Sequence, residues 1–458
     1  MTFITGTDVF RSLVITYLLM SVGLVAGVYL SRVESGPLVG VRNLVDEIDL
    51  FFRGHPEERT SPLEKVIAEI SGQPRVDRPV TNTQLDLDAD LALRFGENME
   101  LRASAPLPAD LAMAMFVPGV PEGHLIIVSG ASDRIWLRPF PNAVDFFLNE
   151  REVLFLSPRS LSAVPLCEPA PVWTTSGLFH HYFSPSEEVV AALGTPLEPE
   201  TVARLSAQDE SRIFSDANHM ITLLDRSTGD VLRSFDFYDI AAANIKRFDP
   251  LAIEKAAHRR EWVPGVKVAS NDFFHPNDVE LYPDGFPEGR FVSGDLLVSS
   301  KGYNLVFVVN TESLEIKWVS QGQFQGQHDP DWFAPNQITV FNNRSEENPT
   351  AAYSSVDLLD METGQRVELA SGAAFGGVTR HSGGHAVLND WVLMSLSLQS
   401  KQVLQRAGDP QSRIEWTLSQ DGKLIGVQEA KLLPAKQIER ALYGCDQWQV
   451  QPRLALTK

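Results

Sequence analysis

The feature that most constrains the fold is a recurring pair of short apolar runs joined by a tight polar turn. The segments LDRSTGDV, which starts at Leu224, and LDMETGQRV, which starts at Leu359, both place Asp and Thr-Gly between two such runs. The segments that start at Asn310 and Ser419 occupy the same position between apolar runs. Because Gly takes a left-handed backbone conformation at little cost, these segments predict antiparallel hairpins.

The apolar runs themselves are short, rich in Val, Ile, Leu and Phe, and bounded by turn residues, which predicts strands of roughly four to eight residues. Long amphipathic helical patterns are nearly absent after position 260, which disfavours an alternating βαβ sheet. Four strands recur roughly every 45–60 residues, a period typical of a β-propeller blade. The sequence therefore predicts an all-β fold with a six-bladed β-propeller over residues 106–458. Seven blades and two stacked sandwiches are the alternatives.

The N-terminal segment has a different character. Ser12 to Leu30 contains 19 residues without a charge, between Arg11 and Arg32. At 1.5 Å per residue, such a helix crosses a hydrocarbon layer about 30 Å thick. A cleaved signal peptide, whose apolar region is usually only about 7–15 residues, is the main alternative. We predict a cytoplasmic tail over 1–11 and a single transmembrane anchor over 12–30 in the inner (cytoplasmic) membrane.

Residues 31–105 are polar and poorly periodic, and they predict a membrane-proximal linker or lead-in region of mixed structure. One short helix is expected there, in the segment SPLEKVIAEI, where Ser61 and Glu64 form a capping-box pattern around Pro62. No second apolar span follows the anchor, so we expect the large C-terminal domain on the exported side, in the periplasm or outside the cell.

Charge and cysteine content exclude several classes of function. The chain has 39 Lys and Arg against 59 Asp and Glu, a net charge of −20, which disfavours nucleic-acid binding. Two cysteines cannot build a Cys-rich metal site or an iron–sulfur cluster. Cys167 and Cys445 both lie in the exported part, where thiols oxidise, and ring closure brings first and last blades together. We therefore expect them to form a disulfide, with two buried free thiols as the alternative.

Several of the ten histidines are spaced at blade-sized intervals. His275, His328 and His381 are 53 residues apart, and His181 precedes His275 by 94. Because the innermost strand of each propeller blade faces one central channel, residues that recur once per blade converge. Chance spacing is the alternative. Metal-ligand spacings such as H-E-x-x-H are absent, as are Walker A, the dinucleotide fingerprint and G-x-S-x-G. We expect histidine catalysis, with neither a metal nor an organic cofactor, and an open metal site formed by three histidines is the alternative.

The segments that follow these histidines carry a resemblance to a known family. HPNDVELYPDG, DLLVSSKGYNLVFVVN and QHDPDWFAPNQITVFNN occur in this order between positions 275 and 343. This block resembles the bacterial arylsulfate sulfotransferases (the arylsulfotransferase, or ASST-like, family). The resemblance implies a six-bladed periplasmic propeller that needs no nucleotide (PAPS) donor. The match is close from about Asn271 to Asp360 and weaker from His180 to the C-terminus.

The resemblance also implies roles for individual residues. The nucleophile looks like His328, and His275 and Asn277 would position the sulfuryl oxygens. An earlier histidine of the family corresponds to His180 or His181, and Lys301 stands where the family has Arg. Lys binds an oxyanion as a point charge, whereas the planar guanidinium of Arg can donate two hydrogen bonds to it at once. Residues of a second tier are His381, Ser382, His385 and Arg344.

These observations predict a membrane-anchored, exported enzyme that transfers a sulfuryl group from an aryl sulfate donor to a phenolic acceptor through a sulfohistidine. Its partners would be these small molecules and the membrane. The first alternative is a non-catalytic propeller that serves as a binding or assembly module at the membrane. The second is a quinone-dependent dehydrogenase, which is disfavoured because the eight tryptophans share no repeated motif. The sequence leaves the oligomeric state open.

Overall fold

The structure is a computed structural model that describes residues 91–95, 99–118, 122–132, 134–204, 219–244, 275–301, 304–344, 353–379, 382–425, 427 and 429–452. The predicted cytoplasmic tail, the anchor over 12–30, the helix that begins near Ser61, and His381 lie outside these ranges. Within them, none of the helices combines the length and the apolar character needed to cross a membrane.

Strands dominate the described residues, and the three helices are short. The strands are β1 (Leu91–Phe95), β2 (Met99–Ala103), β3 (Leu111–Val117), β4 (Gly123–Ser129), β5 (Arg134–Phe140), β6 (Asp145–Leu148), β7 (Glu152–Ser157), β8 (Ser160–Pro165), β9 (Trp173–Pro185), β10 (Val189–Pro196), β11 (Met220–Asp225), β12 (Val231–Asp236), β13 (Pro276–Leu281), β14 (Asp295–Ser300), β15 (Leu305–Asn310), β16 (Ile316–Gln321), β17 (His328–Ala334), β18 (Gln337–Asn342), β19 (Ser355–Asp360), β20 (Arg366–Ser371), β21 (Gly384–Leu388), β22 (Trp391–Leu396), β23 (Lys401–Arg406), β24 (Asp409–Gln420), β25 (Lys423–Leu424), β26 (Ala430–Pro434) and β27 (Gln449–Pro452). The helices are α1 (Pro199–Arg204), α2 (Phe237–Ala243) and α3 (Ala435–Leu442).

Hydrogen bonding groups these strands into five antiparallel sheets. Sheet I has the order β26-β3-β4-β5-β27, and sheet II runs from β6 to β12 in chain order. Sheet III is β13 to β16 and sheet IV is β17 to β20. Sheet V contains β21 to β24, extended by β2 and β1 beyond β24, with β25 paired to β24 as well. Strands that follow one another in the chain are mostly neighbours in a sheet, as expected for hairpin-connected blades.

The sheets succeed one another around a ring, with an apolar cluster between each pair of neighbours. Clusters lie between sheets I and II, II and III, III and IV, and IV and V. A further cluster, which includes Trp416 and Leu393 of sheet V and Met113 and Ile126 of sheet I, joins the last sheet to the first. This cyclic succession of all-β sheets is the propeller architecture that the sequence predicts.

Sheet I closes the ring because it contains strands from both ends of the described chain. β26 pairs with β3, and β27 pairs with β5, so the C-terminal strands flank an N-terminal hairpin. Close to this junction, Cys167 and Cys445 form a disulfide with their Cα atoms 4.7 Å apart. The predicted pairing is confirmed, and its physical reason is the one expected: ring closure brings together residues that are 278 positions apart.

The Asp-x-x-Thr-Gly segments form the predicted turns between β11 and β12 and between β19 and β20. Asp360 Oδ1 accepts hydrogen bonds from the backbone N–H groups of Glu362 and Thr363, at 3.1 and 2.8 Å. Gly364 N–H donates to the Asp360 carbonyl at 2.8 Å, and its φ of 72° is left-handed. The side chain of Asp thus organises the turn, and Gly supplies the conformation that closes it.

The strands of the propeller begin before position 106, where the sequence analysis placed the start of this domain. β1 and β2 precede position 106, yet β2 pairs with β24 from Met99 opposite Gln420 to Ala103 opposite Trp416. Sheet V therefore includes residues that the sequence analysis assigned to the lead-in region. A pairing partner more than 300 positions away leaves no local signal in the sequence.

Candidate functional site

The inner strands β9, β13 and β17 are neighbours, and the register of their pairing shifts close to the candidate residues. The pairing of β9 with β10 shifts around His180 and His181, that of β13 with β14 at Asn277, and that of β17 with β18 at Asp329. Such bulges turn side chains away from the regular alternation of a strand and are common next to functional sites. The backbones of His181, His275 and Asp329 have positive φ values of 56°, 43° and 51°.

His328, the predicted nucleophile, begins β17 and is buried, with 2% of its surface exposed. Its Nδ1 lies 3.0 Å from the carbonyl oxygen of Gly326 and 2.7 Å from Oδ1 of Asn343. The amide NH₂ of Asn343 donates to the carbonyl oxygens of Thr379 and Ser382, at 2.7 and 2.9 Å, which leaves its oxygen to face the imidazole. Both partners of Nδ1 are acceptors, so Nδ1 carries the proton and Nε2 carries the lone pair.

The surroundings of His328 keep its imidazole neutral. Burial and then the charge of Lys301 lower the pKa of His328 to about 4. The hydrogen bonds to Asn343 and Gly326 act in the opposite direction but are outweighed. A neutral imidazole with a free Nε2 can attack an electrophile without first losing a proton.

Three further histidines gather beside His328. Nδ1 of His180 and Nδ1 of His181 are 2.6 Å apart, and the ring of His181 lies edge-to-face against that of His275, with centroids 5.5 Å apart. The pKa of His181 is held well below its usual value by burial and by the neighbouring His180, His275, His328 and Lys301. The structure thus brings together the histidines of β9, His275 just before β13, and His328 of β17, as the blade spacing predicts.

Lys301 directly follows β14 and lies next to this group. Its backbone N–H donates to the carbonyl of His275 at 3.0 Å, which fixes the two segments to each other. Its charge lowers the pKa of both His328 and His181. We define the histidine cluster as His180, His181, His275 and His328. Lys301 is the cation that acts on this cluster.

Asn277 is placed differently from the role implied by the resemblance. It is fully buried, and its amide donates to the carbonyl oxygen of Gln327 at 2.7 Å. Gln327 in turn donates through Nε2 to Ser299, Ser300 and Leu305, at 3.1–3.2 Å. This network ties β13 and β14 to the residue that precedes His328.

The second-tier residues separate into different environments. Ser382 lies near the cluster: its carbonyl oxygen accepts from Asn343, and its Oγ is 2.6 Å from Oγ of Ser397. Arg344 instead faces the outer part of sheet IV, where it donates to Ser355, Tyr353 and Glu368. His385 is fully buried against Asp329, with its Nδ1 3.0 Å from Oδ2.

The sequence analysis missed a set of acidic side chains carried by the innermost strands or, for Glu429, by the position just before β26. This acidic belt, as we call it, consists of Asp145, Asp278, Glu280, Asp329, Asp331 and Glu429. Burial raises the pKa of Asp145 to about 6 and that of Glu280 to about 8. Lys431, whose side chain is 27% exposed, carries the ammonium group that interacts with all six carboxylates.

A signal for this belt exists in the sequence. In HPNDVE the acidic residues stand at alternate positions, 278 and 280, and in QHDPDW they stand at 329 and 331. Alternate residues of a strand share one face, so each pair could have been assigned to the channel side. Glu429 and Lys431 also stand at alternate positions, with opposite charges, whereas Asp145 stands alone in its segment and carries no such signal.

A family model described as arylsulfotransferase (ASST) matches residues 171–409. No curated protein matches the chain in a sequence comparison. Solved structures to which the chain is similar include TolB from Acinetobacter baumannii (11% identity, 71% of this chain and 68% of that one, TM-score 0.41). AztD from Citrobacter koseri (8% identity, 70% and 97% coverage, TM-score 0.34) is another.

The fold and the site together define an all-β propeller with a histidine cluster where its inner strands converge. The family match covers more than half of the chain and includes the histidine cluster, Lys301 and Asn343. The chain therefore belongs to the arylsulfotransferase family, as the sequence resemblance indicates. Membership supports an arylsulfotransferase-like function in general terms.

Proposed function

We propose that the protein transfers a sulfuryl group from an aryl sulfate to a phenol, without a nucleotide donor, by way of a sulfated His328. The observation that carries the proposal is the hydrogen bonding of His328. Its Nδ1 faces two acceptors, Gly326 O and Asn343 Oδ1, so its Nε2 has an available lone pair. Burial and Lys301 keep the ring neutral, with the pKa lowered to about 4.

The reaction divides into two half-reactions. In the first, Nε2 of His328 forms a bond to sulfur while the bond between sulfur and the aryl oxygen breaks, and the phenolate leaves. In the second, the oxygen of the acceptor phenol attacks sulfur, the N–S bond breaks, and the phenolic proton passes to a base. Sulfuryl transfer resembles phosphoryl transfer in that charge spreads over the equatorial oxygens, so positioning and fixed positive charge dominate catalysis.

The neighbours of His328 support assignments for these tasks. Lys301 is the cation of the cluster and would hold the sulfuryl oxygens together with His275. His181 would exchange the proton with the phenol, because its ring contacts that of His275 and both His328 and Lys301 act on its pKa. His180 would orient His181 through the contact between their Nδ1 atoms at 2.6 Å. Asn277 would act through the backbone that precedes His328, since its amide donates to Gln327 O.

Steady-state kinetics of purified full-length protein with p-nitrophenyl sulfate and phenol would test the proposal. We expect nitrophenolate release that depends on phenol, parallel double-reciprocal lines typical of a ping-pong mechanism, and a gain of one sulfuryl group on a peptide containing His328 when the acceptor is omitted. His328→Ala should abolish turnover. His124→Gln on β4 of sheet I is a matched control that should leave turnover unchanged.

The same experiment separates the proposal from a non-catalytic propeller that binds a partner at the membrane. Lys301 stands where the family has Arg, and this difference is the observation that favours the non-catalytic propeller. Absence of nitrophenolate release in the wild-type protein, or turnover per folded molecule unaffected by His328→Ala, would refute sulfuryl transfer through His328.

We also propose that the propeller has six blades. Sheet II supports a division into two blades, because β9 is 13 residues long and pairs with β8 at its start and with β10 at its end. An apolar cluster that includes Leu161 and Ala192 lies between these halves, like the clusters between separate sheets. With sheets I, III, IV and V, the two halves of sheet II make six units of at least four strands each.

We further propose that residues 12–30 anchor the protein in the inner membrane, with the propeller exported. The support is the uncharged run from Ser12 to Leu30 and the disulfide, which is typical of oxidising compartments. Intact protein should sediment with membranes and retain Met1 or Thr2 at its N-terminus. A new N-terminus between Ala26 and Gly36, found by mass spectrometry, would contradict the anchor.

A further inference from the structure

The residue that follows the proposed nucleophile has an unusual backbone conformation. Asp329 lies between His328 and Pro330, and its φ of 51° is left-handed. A proline normally confines the residue before it to an extended conformation with a φ of about −120°, and non-glycine residues seldom adopt a positive φ. The pairing of β17 with β18 also shifts between His328 and Pro330. Surrounding contacts must therefore hold Asp329 in this conformation, which sets the direction in which the backbone presents His328.

The contacts that hold Asp329 come from His385, near the start of β21. The backbone N–H of His385 donates to Oδ2 of Asp329, and Nδ1 of His385 lies 3.0 Å from the same oxygen. A carboxylate oxygen only accepts, so Nδ1 carries a proton. Asp329 and His385 are both buried. Two hydrogen bonds from one buried residue thus fix the Asp329 carboxylate relative to sheet V.

The second ring nitrogen of His385 faces another carboxylate. Nε2 lies 3.5 Å from Oδ2 of Asp331, which is two positions after Asp329 in β17. Burial by itself would lower the pKa of His385, but the hydrogen bond to Asp329 and the charges of Asp331 and Asp329 outweigh it, and the pKa is raised. His385 is therefore an imidazolium between two carboxylates. A charged donor strengthens its hydrogen bond to the Asp329 carboxylate.

The start of sheet V approaches His328 from two directions. Gly384 allows the approach on one side, because a Cβ added there would lie only 3.0 Å from Oδ2 of Asp329. On the other side, the carbonyl oxygen of Ser382 accepts from Asn343, whose Oδ1 faces Nδ1 of His328. One short segment thus contacts both the residue that follows the nucleophile and the residue that orients its ring.

We propose that His385 is a positioning residue for His328, which acts by holding Asp329 in its left-handed conformation through the imidazolium between Asp329 and Asp331. The catalytic part of this inference rests on the proposed sulfuryl transfer, in which His328 is the nucleophile. His385 acts through Asp329 and not on the sulfuryl group itself. A misplacement of about 1 Å at the reacting atoms can lower a rate about 100-fold, because attack needs close alignment.

Two substitutions of Asp329 separate its backbone conformation from its charge. Asp329→Gly and Asp329→Ala both remove the carboxylate, but only glycine adopts a left-handed conformation at little cost. We expect kcat of Asp329→Gly to be about tenfold higher than that of Asp329→Ala, with a similar KM for p-nitrophenyl sulfate. His385→Gln removes the charged donor and should lower kcat about tenfold or more. His124→Gln on β4 is the control with unchanged kcat.

Nitrogen NMR of full-length protein with labelled histidine is a readout that does not need turnover. At pH 6.5, where an ordinary histidine is about half protonated, His385 should be mostly protonated on both ring nitrogens. His328 should carry a proton on Nδ1 alone. The His328 signals should keep their wild-type positions in Asp329→Gly and shift in Asp329→Ala. Loss of individual signals in His385→Gln and His328→Ala assigns them.

Three results would overturn the proposal. One is a His385 that is mostly neutral at pH 6.5, and another is a set of His328 signals that is identical in Asp329→Gly and Asp329→Ala. The third is equal kcat in these two variants. Absence of turnover in the wild-type protein would instead refute sulfuryl transfer, and the NMR comparison would still decide whether His385 and Asp329 position His328.

Discussion

Oδ1 of Asn343 lies 2.7 Å from Nδ1 of His328, and the amide of Asn343 is itself held by the carbonyl oxygens of Thr379 and Ser382. Asn343 directly follows β18, fifteen positions beyond His328. The orientation of the Asn343 amide is therefore fixed by sheet IV and its connection to sheet V. Through this contact, the backbone around Thr379 and Ser382 decides which nitrogen of His328 carries the proton.

Replacing Asn343 should reduce catalysis without removing the nucleophile. In Asn343→Ala, only Gly326 O would still select the proton position on His328, and the ring would be less well oriented. We expect kcat to fall by about 10–100-fold with little change in KM. Asn336→Ala, in the turn between β17 and β18, is the control. Nitrogen NMR of labelled histidine should show a mixture of tautomers in Asn343→Ala. A wild-type tautomer ratio together with wild-type kcat would contradict this role.

Substitutions of Lys301 should distinguish charge from geometry. Lys301→Ala removes the cation of the histidine cluster, and loss of one oxyanion-stabilising group costs about 10²–10³-fold in kcat. Lys301→Arg restores the charge and adds a two-pronged donor, so it should retain most of the activity and lower KM for the aryl sulfate. Steady-state kinetics with p-nitrophenyl sulfate would measure both. A Lys301→Arg variant as inactive as Lys301→Ala would show that the charge alone is insufficient.

The disulfide should contribute strongly to stability. Cys167 and Cys445 close a loop of 278 positions, and the unfolded chain loses more entropy when a longer loop is closed. Cys167→Ser combined with Cys445→Ser should lower the free energy of unfolding by about 2–5 kcal/mol. Denaturant unfolding would measure the difference. Reduced wild-type protein is the control and should resemble the double variant, and equal stability of reduced and oxidised protein would refute the effect.

His181 should make the folded protein less stable in mild acid. Burial, and then the neighbouring His180, His275, His328 and Lys301, hold the pKa of His181 well below its usual value of about 6.5. As pH falls below about 6.5, the unfolded chain binds a proton that the folded protein does not, so the free energy of unfolding decreases. One such proton changes it by at most about 1.4 kcal/mol per pH unit.

His181→Gln removes this titration, so the decline in stability between pH 6.5 and 5 should be smaller than in the wild-type protein. Denaturant unfolding at several pH values measures the slope, and His124→Gln serves as the control. Identical slopes for wild type and His181→Gln would show that His181 remains protonated in the folded state or titrates equally in both states.

The sequence by itself determined the local structure and the chemistry-bearing positions. Asp and Gly at fixed positions in the turns dictate hairpins, because their preferred backbone conformations and hydrogen bonds are local. Repetition of these hairpins predicts a propeller, and the 53-residue spacing of His275 and His328 predicts that they meet. The cysteine pairing followed from ring closure, which any such repeat requires.

Only the tertiary structure decided which side chains face one another across the ring. β2 pairs with β24, Asn343 contacts His328 from the position after β18, and His385 of β21 lies 3.5 Å from Asp331 of β17. The bulges at His181, Asn277 and Asp329 redirect side chains that strict alternation would place elsewhere. These relationships depend on contacts between residues far apart in the chain, whose register is set by packing rather than by local preference.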